Sequence, residues 1–308
     1  MKRIIPFLLV LLLLAGCAVE NSAGNTNLNN TNSNINSNNN SNGIAPPPED
    51  GEDNQSPGDG DEDKPPAGAD PRAETVEAIL ASMSLEEKVG QMFFVRCPAA
   101  GAVEDISAYH LGGYILFGQD FKDAAGTWLT GEQFMGNIAS YQAAAKISLL
   151  IGVDEEGGTV ARASRNPNLF PAVFKSPQKV FAAGGLEAVR RDALEKSAGL
   201  LALGINVNLA PVADVSVDPA DFIYDRAFGQ DAAATAEYVE TVVSAANQVS
   251  YESDGRTLGI GSVLKHFPGY GNNVDTHTGI AIDEREYSQF ESQDFLPFQA
   301  GIRAGAGG

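Results

Sequence analysis

The sequence predicts an α/β fold, a (β/α)8 TIM barrel of which residues 73–308 supply about five strands. Apolar, strand-like runs alternate with longer helix-patterned segments, and this alternation is typical of a parallel sheet. Polar clusters directly follow the third, fourth and fifth runs, and the active site of a TIM barrel is built at this carboxyl edge. No Gly-x-Gly-x-x-Gly follows the first run, which argues against a dinucleotide-binding fold.

Residues 1–17 have the pattern of a lipoprotein signal peptide. Lys2 and Arg3 precede a short apolar run that ends in Leu-Ala-Gly-Cys, which resembles the lipobox of bacterial lipoproteins. The run is too short to span a bilayer comfortably. An ordinary signal peptide with an incidental cysteine is the alternative. We expect a lipid anchor at Cys17 that holds the protein on the cell membrane, facing outside the cytoplasm.

Residues 18–72 are predicted to form a disordered linker that is first rich in asparagine and then acidic. Such a composition cannot bury enough apolar surface to offset the loss of chain entropy. Residues 49–70 hold nine acidic residues and one lysine, a net −8 of the formal −20, so much of the acidity belongs to a spacer. A calcium loop at residues 59–63 is disfavoured, because Lys64 and Pro65 stand where its turn glycine belongs.

Residues 73–308 form the predicted barrel segment, and a capping box of Ser84 and Glu87 marks an early helix start. Strands are predicted at residues 91–95, 113–117, 149–153, 207–210 and 261–264. Helices are predicted at residues 132–145, 186–203 and 232–249. Cys97 has no partner if Cys17 is lipidated, and its apolar neighbours favour a place in the core.

Two of the three histidines lie in one segment, KHFPGYGNNVDTH at residues 265–277. Lys265 and His266 stand at the end of the fifth predicted strand, and Asp275 and His277 lie on the glycine-containing loop that follows. A basic pair and an Asp-x-His on such a loop are typical parts of an active site. A histidine in a polar surface loop is the alternative interpretation of His277.

Six segments occur in a fixed order along the chain: MSLEEKVGQM (83–92), GGYILF (112–117), DxEGGxVxR (154–162), APVxDV (210–215), DRxFGxD (225–231) and KHFPGYGNNVDTH (265–277). With these segments, the chain from residue 83 to its end resembles glycoside hydrolase family 3, in its β-N-acetylhexosaminidase branch. Each segment alone is a weak signal, but six ordered matches are specific.

The resemblance implies a set of residues that bind sugar hydroxyls or contact the substrate: Asp154, Arg162, Arg226, Lys265 and His266. A strand-end helix cap is the alternative for Asp154, and a structural ion pair is the alternative for each arginine. The resemblance also implies that His277 is the general acid/base. Asp275 would orient its imidazole and stabilise the protonated ring. An unperturbed imidazole titrates near about pH 6.5, so one such group can protonate the leaving oxygen and then deprotonate water.

Several other polar residues are less clear from the sequence. For Asp214 and Asn208, the sequence leaves two alternatives open: contact with the substrate, or a structural role at the end of a strand. Glu155 and Glu156 are left out of the predicted site, because neighbours in sequence point apart. Tyr270 stands where family members often have histidine, and the loop is one residue shorter than in those members, although the Asp-x-His spacing is intact.

The function implied by the resemblance is that of a retaining exo-β-N-acetylglucosaminidase. It would remove terminal β-linked N-acetylglucosamine from peptidoglycan fragments or chitin-type oligosaccharides, through a covalent glycosyl-enzyme. The alternatives are a β-glucosidase, a phosphorolytic N-acetylglucosaminidase, or a non-catalytic surface protein that binds amino sugars. No cofactor and no metal are expected, since no residues show ligand spacing, and the chain is not basic enough to indicate nucleic-acid binding.

The resemblance further implies an aspartate nucleophile at the end of a later strand. No aspartate follows Asp294, and Asp154 and Asp275 already have other implied roles. The chain reaches residue 308 in what looks like the entry to a sixth strand. We therefore expect these 308 residues to lack the nucleophile and to be inactive without further strands.

Overall fold

The computed structural model describes residues 71–253 and 256–308. The predicted signal peptide, Cys17 and the linker up to residue 70 lie outside the described residues. Within the described ranges, no helix is both long enough and apolar enough to cross a membrane.

Helices and strands alternate along most of the chain. The helices are α1 Pro71–Ser82, α2 Leu85–Gln91, α3 Ala102–Tyr109, α4 Gly131–Ala144, α5 Pro177–Ala202, α6 Ala232–Ala246, α7 Tyr287–Gln289 and α8 Phe295–Arg303. The strands are β1 Phe94–Arg96, β2 Gly113–Leu116, β3 Leu150–Val153, β4 Val207–Asn208, β5 Ser250–Ser253, β6 Arg256–Gly259 and β7 Gly261–Ser262. A π-helical turn, Phe290–Asp294, joins α7 to α8.

The central sheet has five parallel strands in the order β1-β2-β3-β4-β7. Each sheet strand therefore lies beside the preceding one in the chain, with helices in the connections, which is the order found in a (β/α)8 barrel. The predicted α/β class and the parallel pairing of the five predicted strands are confirmed.

Strands β2 and β3 consist largely of apolar residues, which is typical of a parallel sheet with both faces covered, whereas β1, β4 and β7 include Arg96, Asn208 and Ser262. Tyr114, Leu116 and Ile151 are at most 1% exposed, and they pack with helix residues such as Phe134 and Leu200 in the main core. Leu264, the residue before the Lys-His pair, packs into a second core cluster against α6 and α8. This packing fixes the chain where it leaves β7.

The first predicted strand was placed too early in the chain. Residues up to Gln91 belong to α2, which begins at the Ser84 capping box, and β1 is Phe94–Arg96. The amide group of Gln91 donates hydrogen bonds to the carbonyls of His110 and Leu111, so its side chain joins α2 to the segment before β2. No local sequence pattern predicts such a contact, because the partners lie about twenty residues further along the chain.

Strands β5 and β6 form an antiparallel hairpin that was not predicted. The Asp-Gly pair at positions 254 and 255, between two runs with strand character, is a sequence signal typical of a two-residue hairpin. The interpretation of Cys97 as a core residue agrees with the structure, since it is 2% exposed and burial raises the pKa of its thiol to about 11.

Candidate active site

The carboxyl ends of β3, β4 and β7 bring polar residues from three separate segments together. Asp154 directly follows β3, Asp214 lies after β4, and Lys265 and His266 lie after β7. A backbone bridge between Val212 and Lys265 continues the parallel pairing of β4 and β7 beyond the strands themselves. The predicted strand-end residues therefore meet at one edge of the sheet.

Lys265, Asp154, Glu156 and Arg226 form one network, which we call the strand-end cluster. The Nζ atom of Lys265 lies 2.6 Å from Oδ1 of Asp154 and 2.6 Å from Oε1 of Glu156. Arg226 binds the same carboxylate with two hydrogen bonds, Nη2 to Oε1 at 2.7 Å and Nε to Oε2 at 3.0 Å. Paired hydrogen bonds of this kind hold a guanidinium in a defined plane.

Glu156 is thus a functional residue that the sequence analysis missed. Its side chain is 1% exposed, and it joins Arg226 to Lys265. Burial raises the pKa of the Glu156 carboxyl, but the hydrogen bond from Arg226 and the charge of Lys265 outweigh burial and hold the pKa below its ordinary value. The group is therefore a carboxylate at neutral pH that orients two cations.

The expectation that the two neighbouring glutamates point apart is correct, and only one of them belongs to the cluster. The buried Glu155 carboxylate accepts hydrogen bonds from the backbone amides of Arg162 and Ala163 and from the hydroxyl of Ser164. The glycine pair that follows Glu156 has φ angles of +99° and +66°, which residues with a side chain rarely adopt. The Gly-Gly pair is therefore a sequence signal for a tight turn directly after Glu156, and it could have indicated that Glu156 lies at the strand end with the other site residues.

In the described part of the chain, the side chain of Arg162 makes no hydrogen bond or ion pair with the other predicted binding residues. Its backbone amide donates to Glu155, and its Nη1 donates to the carbonyl of Ala161 at 3.3 Å. Within residues 71–253 and 256–308, its guanidinium makes no ion pair. The alternative of a structural ion pair therefore has no support for Arg162, whereas Arg226 does make one, with Glu156.

Asp214, which the sequence left undecided, orients His266. Its buried Oδ2 lies 2.7 Å from Nδ1 of His266, and Oδ1 accepts a hydrogen bond from the amide of Tyr270. On the other side of the ring, Nη2 of Arg226 lies 3.0 Å from Nε2 of His266. An arginine can only donate, so Nε2 accepts and the ring proton lies on Nδ1, facing Asp214.

Asp275 and His277 form a hydrogen-bonded dyad on the loop of residues 269–285, which we call the dyad loop. Oδ1 of Asp275 lies 2.6 Å from Nδ1 of His277 and also accepts a bond from its backbone amide. These two hydrogen bonds lower the pKa of the Asp275 carboxyl, and the charge of Arg226 adds to the effect.

The imidazole of His277 is 73% exposed, and in the described part of the chain its Nε2 has no hydrogen-bond partner. Among the described residues, no hydrogen bond or ion pair joins this imidazole to the strand-end cluster. The arrangement can therefore present an oriented ring nitrogen to a molecule bound above the sheet edge, while Asp275 stabilises the protonated ring. The same described residues contain no group of three or more metal-ligating side chains.

Comparison with known proteins identifies the fold as that of one family. The profile of the glycosyl hydrolase family 3 N-terminal domain matches residues 84–308. The chain is 31% identical to beta-hexosaminidase A of Pseudoalteromonas piscicida over 210 residues, which is 65% of this chain and 32% of that protein. It is 32% identical to the beta-hexosaminidase of Nitrosomonas eutropha over 206 residues, which is 64% of this chain and 53% of that protein.

Two solved structures show the same fold. One is a glycoside hydrolase family 3 beta-N-acetylglucosaminidase from Paenibacillus sp. FPU-7, with 26% identity, a TM-score of 0.61, and coverage of 73% of this chain and 41% of that one. The other is beta-N-acetylhexosaminidase from Beutenbergia cavernae, with 29% identity, a TM-score of 0.58, and coverage of 73% and 66%. The chain thus spans from about a third to two thirds of the length of these relatives.

Proposed function

Because the chain belongs to glycosyl hydrolase family 3 through the N-terminal domain of that family, we propose that the protein is a retaining exo-β-N-acetylglucosaminidase. Its substrates are terminal β-linked N-acetylglucosamine residues of peptidoglycan fragments or chitin-type oligosaccharides. The observation that carries the proposal is the dyad, in which Asp275 lies 2.6 Å from Nδ1 of His277 and leaves Nε2 available. The beta-N-acetylglucosaminidase and beta-hexosaminidase names of the relatives support it.

The strand-end cluster binds the sugar in this proposal. Carboxylate and ammonium groups suit the hydroxyls of a sugar, because they accept and donate several hydrogen bonds at once. Asp154 and Lys265 are 19% and 15% exposed, so both can reach a ligand while they remain paired with each other. Arg162 and His266 complete the proposed set. Glu156 and Asp214 are buried, and they act by holding Arg226, Lys265 and His266 in place.

The dyad moves the protons. In the first step, Nε2 of His277 protonates the leaving oxygen while a nucleophile attacks the anomeric carbon from the opposite face of the ring. In the second step the same nitrogen takes a proton from water, which hydrolyses the glycosyl-enzyme. Asp275 holds the Nδ1 proton throughout and stabilises the charged ring. Its lowered pKa keeps it ionised for this role.

Assays on the full-length protein separate the proposal from its alternatives. We expect 4-nitrophenyl N-acetyl-β-D-glucosaminide to be cleaved to free N-acetylglucosamine, with a rate that does not depend on phosphate. Release of the sugar 1-phosphate in phosphate buffer would establish phosphorolysis, and preference for the glucoside would establish a β-glucosidase. Binding of N-acetylglucosamine oligosaccharides without turnover would establish a binding protein.

We also propose that the protein is held on the membrane through lipid at Cys17, facing outside the cytoplasm. The lipobox pattern Leu-Ala-Gly-Cys supports this. Cell fractionation tests it: the wild-type protein should sediment with membranes, and Cys17→Ala should lose lipid labelling. Cys97→Ala is the matched control and should remain in the membrane fraction. An unlabelled wild-type protein in the soluble fraction would overturn this proposal.

A further inference from the structure

Arg285 closes the base of the dyad loop. Its Nη2 donates to the carbonyl of Gly269 at 2.8 Å, at the start of the loop. The Nε and Nη2 atoms donate to the carboxylate of Asp283 at 2.7 to 3.1 Å, near the end of the loop. One planar guanidinium thus joins two segments that are fourteen residues apart in the chain.

The same guanidinium is anchored in the body of the domain. Its Nη1 lies 3.0 Å from both carboxylate oxygens of Asp294, a residue that is 2% exposed and ends the π-helical turn before α8. The loop backbone fits closely around the arginine, since a Cβ atom at Gly271 would lie only 2.5 Å from Cζ of Arg285. Any larger residue at position 271 would displace the guanidinium.

Electrostatics favours this arrangement. The hydrogen bond from Arg285 is the main cause that lowers the pKa of Asp283 to about 2, so the pair stays charged at neutral pH. Burial raises the pKa of Asp294, and the hydrogen bonds from Arg285 oppose that effect. Asn273 adds a hydrogen bond to Asp283, which extends the connection into the loop.

The middle of the loop has few other connections to the domain. The apolar side chains of Val274, Ile280 and Ile282 are between 65% and 94% exposed. Since no hydrogen bond or ion pair joins the exposed His277 to the strand-end cluster in the described residues, its position depends on the contact of Thr276 with Tyr270 and on where the two ends of the loop are held. Arg285 holds both ends to Asp294.

We propose that Arg285 is a positioning residue that sets the placement of the Asp275–His277 dyad over the strand-end cluster. It acts through the loop backbone and does not touch the substrate. The kinetic consequence rests on the proposed function, whereas the effect on loop order does not. The two are therefore tested separately.

The first test measures amide hydrogen exchange in residues 272–282 of the full-length protein. Arg285→Met removes every side-chain hydrogen bond of Arg285 to the loop, and Asp283→Asn weakens the loop side while it keeps the pair of Arg285 and Asp294. Both should exchange at least about tenfold faster in this segment, since an opening that costs one or two hydrogen bonds less is about that much more frequent. Arg303→Met, at an exposed arginine at the end of α8, is the matched control and should leave exchange unchanged.

The second test measures kcat and KM on aryl N-acetyl-β-glucosaminides of increasing leaving-group pKa. A displaced dyad donates its proton poorly, so both loop variants should lose about tenfold or more in kcat with KM changed less than about threefold. The slope of log kcat/KM against leaving-group pKa should become steeper. Arg285→Lys should recover part of the rate, because a lysine can replace some of the bonds but not all of them.

Wild-type exchange in both Arg285→Met and Asp283→Asn would overturn the proposal. So would faster exchange with an unchanged leaving-group slope, since that result makes Arg285 a purely structural residue. If Arg285→Met fails to fold, Asp283→Asn decides both tests. If the wild-type protein does not cleave the glycosides, the proposed function fails, and the exchange test still decides whether Arg285 orders the loop.

Discussion

The hydroxyl of Tyr270 lies 2.8 Å from both Oγ1 and the backbone nitrogen of Thr276, the residue between the two members of the dyad. The backbone amide of Tyr270 donates to Asp214, which orients His266. One residue therefore connects the carboxyl end of β7 with the centre of the dyad. The position where family members often have histidine supplies here a contact that holds the loop.

Tyr270→Phe should lower turnover with little effect on substrate affinity. The change removes two hydrogen bonds to Thr276 and leaves the buried ring in place. We expect kcat to fall about threefold to tenfold, which corresponds to a net loss of about 1 kcal/mol. Steady-state kinetics on the full-length protein measures this. Tyr224→Phe, at a tyrosine whose hydroxyl makes no hydrogen bond in the described residues, is the control, and equal losses in both variants would contradict the prediction.

His277→Ala should cut turnover strongly for poor leaving groups and much less for very acidic ones. A good leaving group needs little protonation, and general acid/base catalysis contributes about 10²–10⁴-fold. Single-turnover rates of the glycosylation step across a series of aryl glycosides measure the difference. His110→Asn is the control, since asparagine tolerates the φ of +55° found there. Equal losses for good and poor leaving groups would argue against His277 as the acid.

Asp154→Ala and Lys265→Ala should weaken the substrate and the transition state together. Both groups are assigned to hydroxyls that do not react, and hydrogen bonds to charged groups are worth about 1.5–3 kcal/mol. We expect kcat/KM to fall about tenfold or more, with a rise in KM. Lys146→Ala removes an exposed ion pair with Glu87 and is the matched control. Wild-type kinetics in both site variants would leave these residues a structural role only.

Glu156→Gln should destabilise the folded protein by about 3 kcal/mol at neutral pH, because it breaks a buried network and leaves Arg226 and Lys265 without their shared carboxylate. The pKa of Glu156 is lower in the folded than in the unfolded chain. Its ionised form therefore stabilises the fold at pH values above the ordinary 4.5, and this contribution is lost as the pH falls through the lower, folded pKa.

Denaturant unfolding of the wild type and Glu156→Gln between pH 7 and pH 3 tests this sign. The difference in free energy of unfolding should be largest at neutral pH and should shrink as the solution is acidified. Glu132→Gln, at an exposed glutamate in the first turn of α4, is the control. A difference that stays constant or grows toward low pH would show that Glu156 is not ionised in the folded protein.

Local patterns were enough to predict most of the architecture. The five predicted runs lie at or beside the five sheet strands, and the apolar residues of β2 and β3 are typical of buried parallel strands. The capping box at Ser84 predicted the start of α2 for a similarly local reason, since its two hydrogen bonds span three residues. The first strand was placed three residues too early, because the contact of Gln91 with residues 110 and 111 is not local.

The sequence by itself determined which residues stand at the strand ends and that Asp275 and His277 are two positions apart on a loop, because strand ends and short-range spacings are local properties of the chain. Only the tertiary structure decided the partners. Glu156 lies 70 residues from Arg226 along the chain, and Asp214 lies 52 residues from His266. Both carboxylates can be buried because folding supplies a cation or a hydrogen-bond donor for each of them, and no local pattern specifies a partner so far away.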